Sequence, residues 1–409
     1  MAPLPNLKYI KFNIKVLHLE LTSRCNALCP MCGRTTGMDA DDGILRKRDD
    51  LDLTDTDPKI LEKMLDEMKP FVPFHVFING NYGDPIMYPY LLEVIKMYKD
   101  AGVRQVTLST NGSAQTEAWW RELGQIMSKP DKVIFAIDGL EDTNHLYRVN
   151  TKWSTIMRNA KAFIEEGGIA RWDYIGFQHN EHQIEEARQL AKDMGFVKFR
   201  YKKSNRYVIP THYDGEEQEQ IVKRKEITFV AKQHVNKAKK ENKISEEKAK
   251  ALETILAAPK KSEANTTSKV DEVIKKHKSF DNYVKMTDIT CQTAEDKSIF
   301  VDYQGKVWPC CWQGHYYSKI GHDMATPRRI EDNRLMWERY GEDFNDLSKH
   351  SIFDILKTPY FDNDLVASWE TNSENRLWIC GKTCGKELDF RGNGKQNYED
   401  TEMNEYARK

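Results

Sequence analysis

No run in the 409-residue chain approaches the roughly eighteen consecutive apolar residues of a membrane span. Its opening, MAPLPNLKYIKFNIK, lacks the apolar core of a signal peptide, so a cytoplasmic protein is expected. Net charge is nearly absent as well. Lys and Arg number 62 against 63 Asp and Glu, a formal charge of -1, which removes any bulk attraction to nucleic acid or anionic membrane and leaves only local patches. A phosphate loop is missing: Gly381-Lys382-Thr383 ends like one, but the earlier glycine it requires is Arg376. No cysteine lies between Cys32 and Cys291. The 8 cysteines fall into three groups: Cys25, Cys29 and Cys32; Cys291, Cys310 and Cys311; Cys380 and Cys384. A reducing cytoplasm disfavours disulfides, so the spacing is explained by metal or by chance.

Between residues 16 and 207, short β-branched or apolar runs alternate with amphipathic stretches, the signature of βα units around a parallel sheet. Six strands are predicted, at VLHLELT, FHVFING, QVTLST, KVIFAID, RWDYIGF and FVKFRY. The intervening helices include DPKILEKMLDEM, with Asp57 as N-cap and Pro58 in the first turn, and PYLLEVIKMYKDAG, stopping at Gly102. The expected domains are an N-terminal segment (1–15), the βα region (16–208), a Lys/Glu-rich helical insert or linker (209–286), a cysteine-rich region (287–388) and a polar tail (389–409). SIFVDYQGKVWPCCW reads as a hairpin turning at Gly305.

Cys25, Cys29 and Cys32 have the spacing C-x3-C-x2-C on a loop leaving the first strand, where barrel-type folds gather their chemistry. Three thiolates on one short loop suit three corners of a cubane iron–sulfur cluster, leaving the fourth iron open. Zinc would need a fourth ligand that nothing nearby supplies. His18 and Glu20 alternate with leucines and are expected to point inward, as site-lining groups or as a mutually satisfied pair. His179 and His182 read as surface residues.

These residues resemble the radical S-adenosylmethionine (SAM) enzymes over about 16–208. The resemblance implies an α/β fold, a partial (βα)6 TIM-like barrel followed by a small cysteine-rich β-hairpin/helix auxiliary-cluster domain. It also implies a SAM-binding [4Fe-4S] cluster on Cys25, Cys29 and Cys32. NYGDP, with Gly83, Asp84 and Pro85, is similar to the stretch that holds the SAM amino group, with Asp84 in place of glutamate. LSTNG, with Ser109 and Asn111, resembles the third strand end, and AIDG, with Asp138 and the later Tyr147-Arg148, the fourth. Met31 replaces a common aromatic near adenine.

Cys291, Cys310, Cys380 and Cys384 suit four thiolates gathered around a cubane or a zinc ion. Adjacent strand residues face opposite ways, so Cys310 and Cys311 are not expected to serve together, and the spacing from Gly305 favours Cys310. Residues 287–388 resemble the Twitch/SPASM auxiliary-cluster domain, which implies one auxiliary [4Fe-4S] cluster.

The implied chemistry is reductive SAM cleavage to a 5'-deoxyadenosyl radical, hydrogen abstraction and net oxidation, a dehydrogenation or a cross-link. The implied partners are a small-molecule or peptide substrate and an external electron donor such as flavodoxin or ferredoxin. With about fifteen residues before the first strand, no N-terminal peptide-binding domain is expected. The alternatives are an RNA-modifying enzyme using the charged insert, and a non-enzymatic iron–sulfur or zinc electron-transfer protein.

Overall fold

The computed structural model describes residues 14–30, 32–38, 45–177, 179–203, 246, 266–322, 325–388 and 398–403. Met31 and most of the charged insert lie outside this set. The six expected strands form as β1 (Val16–Leu19), β4 (His75–Ile78), β5 (Gln105–Thr110), β6 (Lys132–Ala136), β7 (Ala170–Gly176) and β8 (Lys198–Lys203). They pair in parallel, each with the next. Helices α1 (Pro58–Met68), α2 (Leu91–Asp100), α3 (Glu117–Ile126), α4 (Asn144–Tyr147), α5 (Trp153–Glu165) and α6 (Ile184–Asp193) occupy the crossovers. The Asp57 side chain caps α1 by accepting from the Lys59 N–H, with Pro58 in the first turn. Gly102 follows α2 at φ +97°, a conformation that costs glycine little.

Strand alternation decides which side chains reach the interior. Leu17 and Leu19 on β1, with Val76 and Ile78 on β4, are fully buried against helical residues such as Leu61, Met64 and Ile95. Each such side chain contributes roughly 1.5–3 kcal/mol on burial. His18 and Glu20 point to the opposite, inner face.

The hairpin β9 (Ser298–Val301) and β10 (Val307–Trp308) turns with Gly305 at φ +77°. It docks on the barrel: β9 lies parallel to β1, with Val16 opposite Ser298 and Leu19 opposite Val301. Phe300, Val307 and Trp308 join the same apolar core as β1. The helix Gln292–Glu295, with Cys291 at its N-cap, precedes the hairpin, and the helices Cys311–Tyr316, with Cys310 at its N-cap, and Trp378–Cys384 follow it.

Two elements have no counterpart in the strand expectations. β2 (Thr35–Met38) and β3 (Leu45–Lys47) form an antiparallel ribbon directly after the cysteine loop. β11 (Tyr398–Glu402), read from sequence as polar tail, pairs antiparallel with β8, where Asp400 binds Lys198 and Arg200. It is a polar edge strand held by charge, so no apolar alternation marks it.

Candidate functional site

The loop after β1 is fastened before it reaches its cysteines. The Ser23 N–H donates to the Thr54 carbonyl, Thr22 Oγ1–H donates to Asp55 Oδ1 at 2.5 Å, and Arg24 pairs with the same aspartate at 3.1 Å. The Cys32 N–H then donates to the Cys29 carbonyl, folding the C-x2-C turn. Cys29 is buried with Ala27, Tyr147, Ile175 and Phe177, while Cys25 and Cys32 are half-buried beside them.

Donors are aimed at the sulfurs. Cys25 Sγ accepts from the Ala27 N–H at 3.4 Å and from Asn111 Nδ2–H at 3.7 Å, and Arg148 Nη1–H reaches Cys29 Sγ at 3.9 Å. Such donors favour thiolates and tune cluster potential, so the set fits a cluster. Burial, helped by nearby Asp84, pushes the Cys25 thiol up to about 12, so metal must displace a proton there. Among the described residues no three His, Cys, Asp or Glu side chains converge as they would around a single ion. A cubane takes one thiolate per iron and needs no such convergence.

The expected SAM contacts cluster at neighbouring strand ends, but several side chains are engaged elsewhere. Gly83 sits so close to the cysteine loop that a Cβ would fall 1.8 Å from the Thr22 carbonyl oxygen, so glycine is required by packing. Asp84 is buried and ties two strand ends together. Its Oδ1 accepts from Thr110 Oγ1–H at 2.7 Å and from the Ile86 N–H at 3.2 Å, and its Oδ2 accepts from the Asn111 N–H at 2.7 Å. Burial raises its carboxyl against those donors. Pro85 opens the short turn Pro85–Met87 that Asp84 caps. Ser109 is half-buried on β5 opposite Ile134, and Asn111 bonds Asn26 and Cys25. Asp138 is buried, accepting from Arg148 Nε–H at 2.6 Å and from the Ile175 N–H at 2.7 Å. It orients Arg148, which then reaches Cys29.

The second cysteine set lines one cavity of about 260 Å³. Cys291, Cys310, Cys311, Cys380 and Cys384 all border it, together with His18 and Phe77 of the barrel. Gln313 Nε2–H donates to Cys380 Sγ at 3.2 Å, and Cys291 Sγ lies 3.1 Å from Thr293 Oγ1. The strand argument about Cys310 and Cys311 needs correction. The strand ends at Trp308, Cys310 is the N-cap and Cys311 the first residue of a helix, so both border the cavity. Their electrostatic neighbours separate them. Burial, then Cys311, Cys380 and Cys291, raise the Cys310 thiol, whereas burial and Glu20 push Cys311 up to about 11. The Cys310 thiol thus lies near those of Cys311, Cys380 and Cys291, and the Cys311 thiol lies near Glu20.

Several residues escaped the sequence reading. Tyr82 is a hub: its N–H donates to Glu20 Oε1 at 2.7 Å, its carbonyl accepts from Arg34 Nη1–H at 3.3 Å, and its hydroxyl lies 2.9 Å from His315 Nδ1. This joins the first cysteine loop to the helix carrying Cys311. Tyr82 lay within NYGDP, but nothing in the sequence pointed to His315. Glu20 and His18 are not a mutually satisfied pair: Glu20 Oε2 and His18 Nε2 are buried without partners. Burial raises Glu20 to about 8 and lowers His18 to about 4. His179 is half-buried and stacks on Phe177 at 5.3 Å, so only His182 is an exposed residue as expected.

A parallel half-barrel thus carries three thiols on the loop that follows its first strand. Residues 19–191 match the Radical SAM superfamily model. Among curated proteins, the "tungsten-containing aldehyde ferredoxin oxidoreductase cofactor-modifying protein" of Pyrococcus furiosus is 29% identical over 127 residues, which are 31% of this chain and 32% of that one. The chain thus spans about a third of that relative's length. Among solved structures, Streptococcus suis SuiB is similar with a TM-score of 0.49 and 13% identity, covering 92% of this chain and 72% of that one. anSMEcpe with bound AdoMet and Cp18Cys peptide has a TM-score of 0.46 and 14% identity, covering 96% and 93%. No helix among the described residues is long and apolar enough to cross a membrane.

Proposed function

We propose that this chain generates a 5'-deoxyadenosyl radical from SAM and uses it for an oxidative modification, a dehydrogenation or cross-link, of a small molecule or peptide. Cys25, Cys29 and Cys32 hold a [4Fe-4S] cluster, and Cys291, Cys310, Cys380 and Cys384 hold an auxiliary one. When bound, the first cluster supplies the electron that cleaves the sulfonium of SAM to a radical able to take hydrogen from an unactivated carbon. The observation that carries this reading is the three-thiol loop within the residues that match the Radical SAM superfamily model, with N–H donors directed at Cys25 and Cys29.

The protein's own residues orient and exclude. Asp84 locks the ends of β4 and β5 behind the loop, and Asp138 aims Arg148 at Cys29. Ser109 and Asn111 contact SAM, with Met31 beside its adenine. Tyr147 and Phe177, whose rings lie 4.4 Å apart, cover Cys29 and keep water from it. Net oxidation is supported by the shared cavity: the second thiol set faces the barrel through His18 and Phe77, within reach of a substrate in the lumen. A flavodoxin or ferredoxin in the cytoplasm delivers the electron for SAM cleavage.

The test is anaerobic reconstitution with iron and sulfide, followed by SAM and dithionite, with 5'-deoxyadenosine measured for wild type and for Cys25→Ala/Cys29→Ala/Cys32→Ala. Nucleoside formed only with the loop intact supports the reading. Equal amounts from both proteins would sink it.

A further inference from the structure

The loop site contains one charge that the described residues around it leave uncompensated. Arg34, two residues after Cys32, is only 3% exposed. Its Nη1–H donates to the Tyr82 carbonyl at 3.3 Å, while its buried Nε–H has no partner. Other arginines nearby are neutralised, Arg24 by Asp55 and Arg148 by Asp138. Arg34 has no such carboxylate among the described residues. A guanidinium out of water without a counter-ion is strongly disfavoured, and none of the described residues supplies one, so a bound anion would complete the site.

The anion has an obvious position. Arg34 follows Cys32 by two residues, inside the turn that the Thr35 N–H closes by donating to the Cys32 carbonyl at 3.1 Å. Three neutral thiols become three thiolates when iron binds, and one-electron reduction adds a further negative charge. We infer that Arg34 is the counter-cation of the loop cluster, a positioning residue that acts through charge and raises the cluster's reduction potential. The inference rests on the reading of Cys25, Cys29 and Cys32 as cluster ligands. The hydrogen bond from Arg34 to the Tyr82 carbonyl, with the Tyr82 N–H fixed on Glu20, holds the guanidinium in place. A fixed nearby cation stabilises the reduced cluster more than the oxidised one, because attraction grows with cluster charge.

The experiment is an anaerobic redox titration followed by electron paramagnetic resonance, without SAM, on reconstituted wild type, Arg34→Gln and Arg34→Lys. The Cys25→Ala/Cys29→Ala/Cys32→Ala protein gives the signal of the second site for subtraction. Arg34→Gln is expected to retain the iron of wild type while its reduced-to-oxidised ratio at a fixed poise falls at least tenfold, about 59 mV for a one-electron couple. Arg34→Lys should recover most of that ratio. An unchanged ratio in Arg34→Gln overturns the inference, including the case where SAM binding alone weakens, which would assign Arg34 to the carboxylate of SAM. An Arg34→Gln protein that no longer folds without iron, judged by circular dichroism, overturns it too, by making Arg34 a structural strut. If wild type carries no more iron than the triple alanine protein, the ligand reading fails first, and that result is separate from any change at Arg34.

Discussion

The two thiol sites are built by opposite means. Cys25, Cys29 and Cys32 lie within eight residues of one loop, so local turns bring them together. Cys291, Cys310, Cys380 and Cys384 come from three helix starts or ends spread over 291–384, and only tertiary packing assembles them. The first site lies at the open end of the barrel, with donors reaching its sulfurs from Asn111, just past β5, and from Arg148, which follows α4. The second lines a cavity between the barrel and the later helices. A local loop can leave a coordination position free for a ligand to enter. A site closed by four thiolates from distant elements suits electron transfer better than binding.

The largest expected effect separates the sites directly. Replacing the three loop cysteines by alanine should abolish 5'-deoxyadenosine while leaving the iron of the second site in place, as counted by chemical iron assay. Loss of all iron would mean that the two sites do not assemble independently, and the contrast would fail. Next comes the adjacent pair. Cys310→Ala should lose the second site's iron and its visible absorption, whereas Cys311→Ala should keep both, because the Cys310 thiol lies near those of Cys291 and Cys380 and the Cys311 thiol lies near Glu20. The reverse result would reassign the ligand.

Asp138→Asn acts at one remove. The asparagine keeps the shape but loses the charge that holds Arg148 Nε–H at 2.6 Å. A charge-assisted hydrogen bond of this kind contributes about 1.5–3 kcal/mol, so SAM cleavage should slow by roughly tenfold to a hundredfold. Iron content should be unchanged. Cleavage at the wild-type rate would remove Arg148 from the machinery.

Much of this contrast was legible in the chain itself, and the parts that were not share a cause. The six parallel strands are short apolar runs with turn signals between them, and Asp57-Pro58 and Gly305 mark a helix start and a hairpin by backbone preference alone. The three-thiol loop is equally local. By contrast, the TTGM and LRK strands of the β2–β3 ribbon carry no alternation, and YEDTE of β11 is a strand because Asp400 meets Lys198 and Arg200, the latter 200 residues earlier. For Cys310 and Cys311 only the strand premise fails, because the strand ends at Trp308 and the chain turns into a helix. His315 at Tyr82 and Arg148 at Cys29 are likewise tertiary contacts with no spacing rule to announce them.

The smallest expected effect lies at Glu20, on the wall joining the two sites. Burial raises its carboxyl from 4.5 to about 8 in the folded chain. Below pH 4.5 the group is protonated both folded and unfolded, so it places no burden on the fold. Between about 4.5 and 8 the unfolded chain releases the proton while the folded chain retains it, and stability falls as pH rises. Glu20→Gln removes this contribution while its amide oxygen still accepts from the Tyr82 and Gly83 N–H groups. Urea unfolding of the iron-free protein from pH 5 to 9 should show wild type losing stability relative to Glu20→Gln, with a slope on the order of 1 kcal/mol per pH unit at most. The difference should level off above pH 8. A parallel pair of curves would mean that water or a neighbouring group already satisfies Glu20 Oε2, and the wall between the thiol sites would be inert to protons.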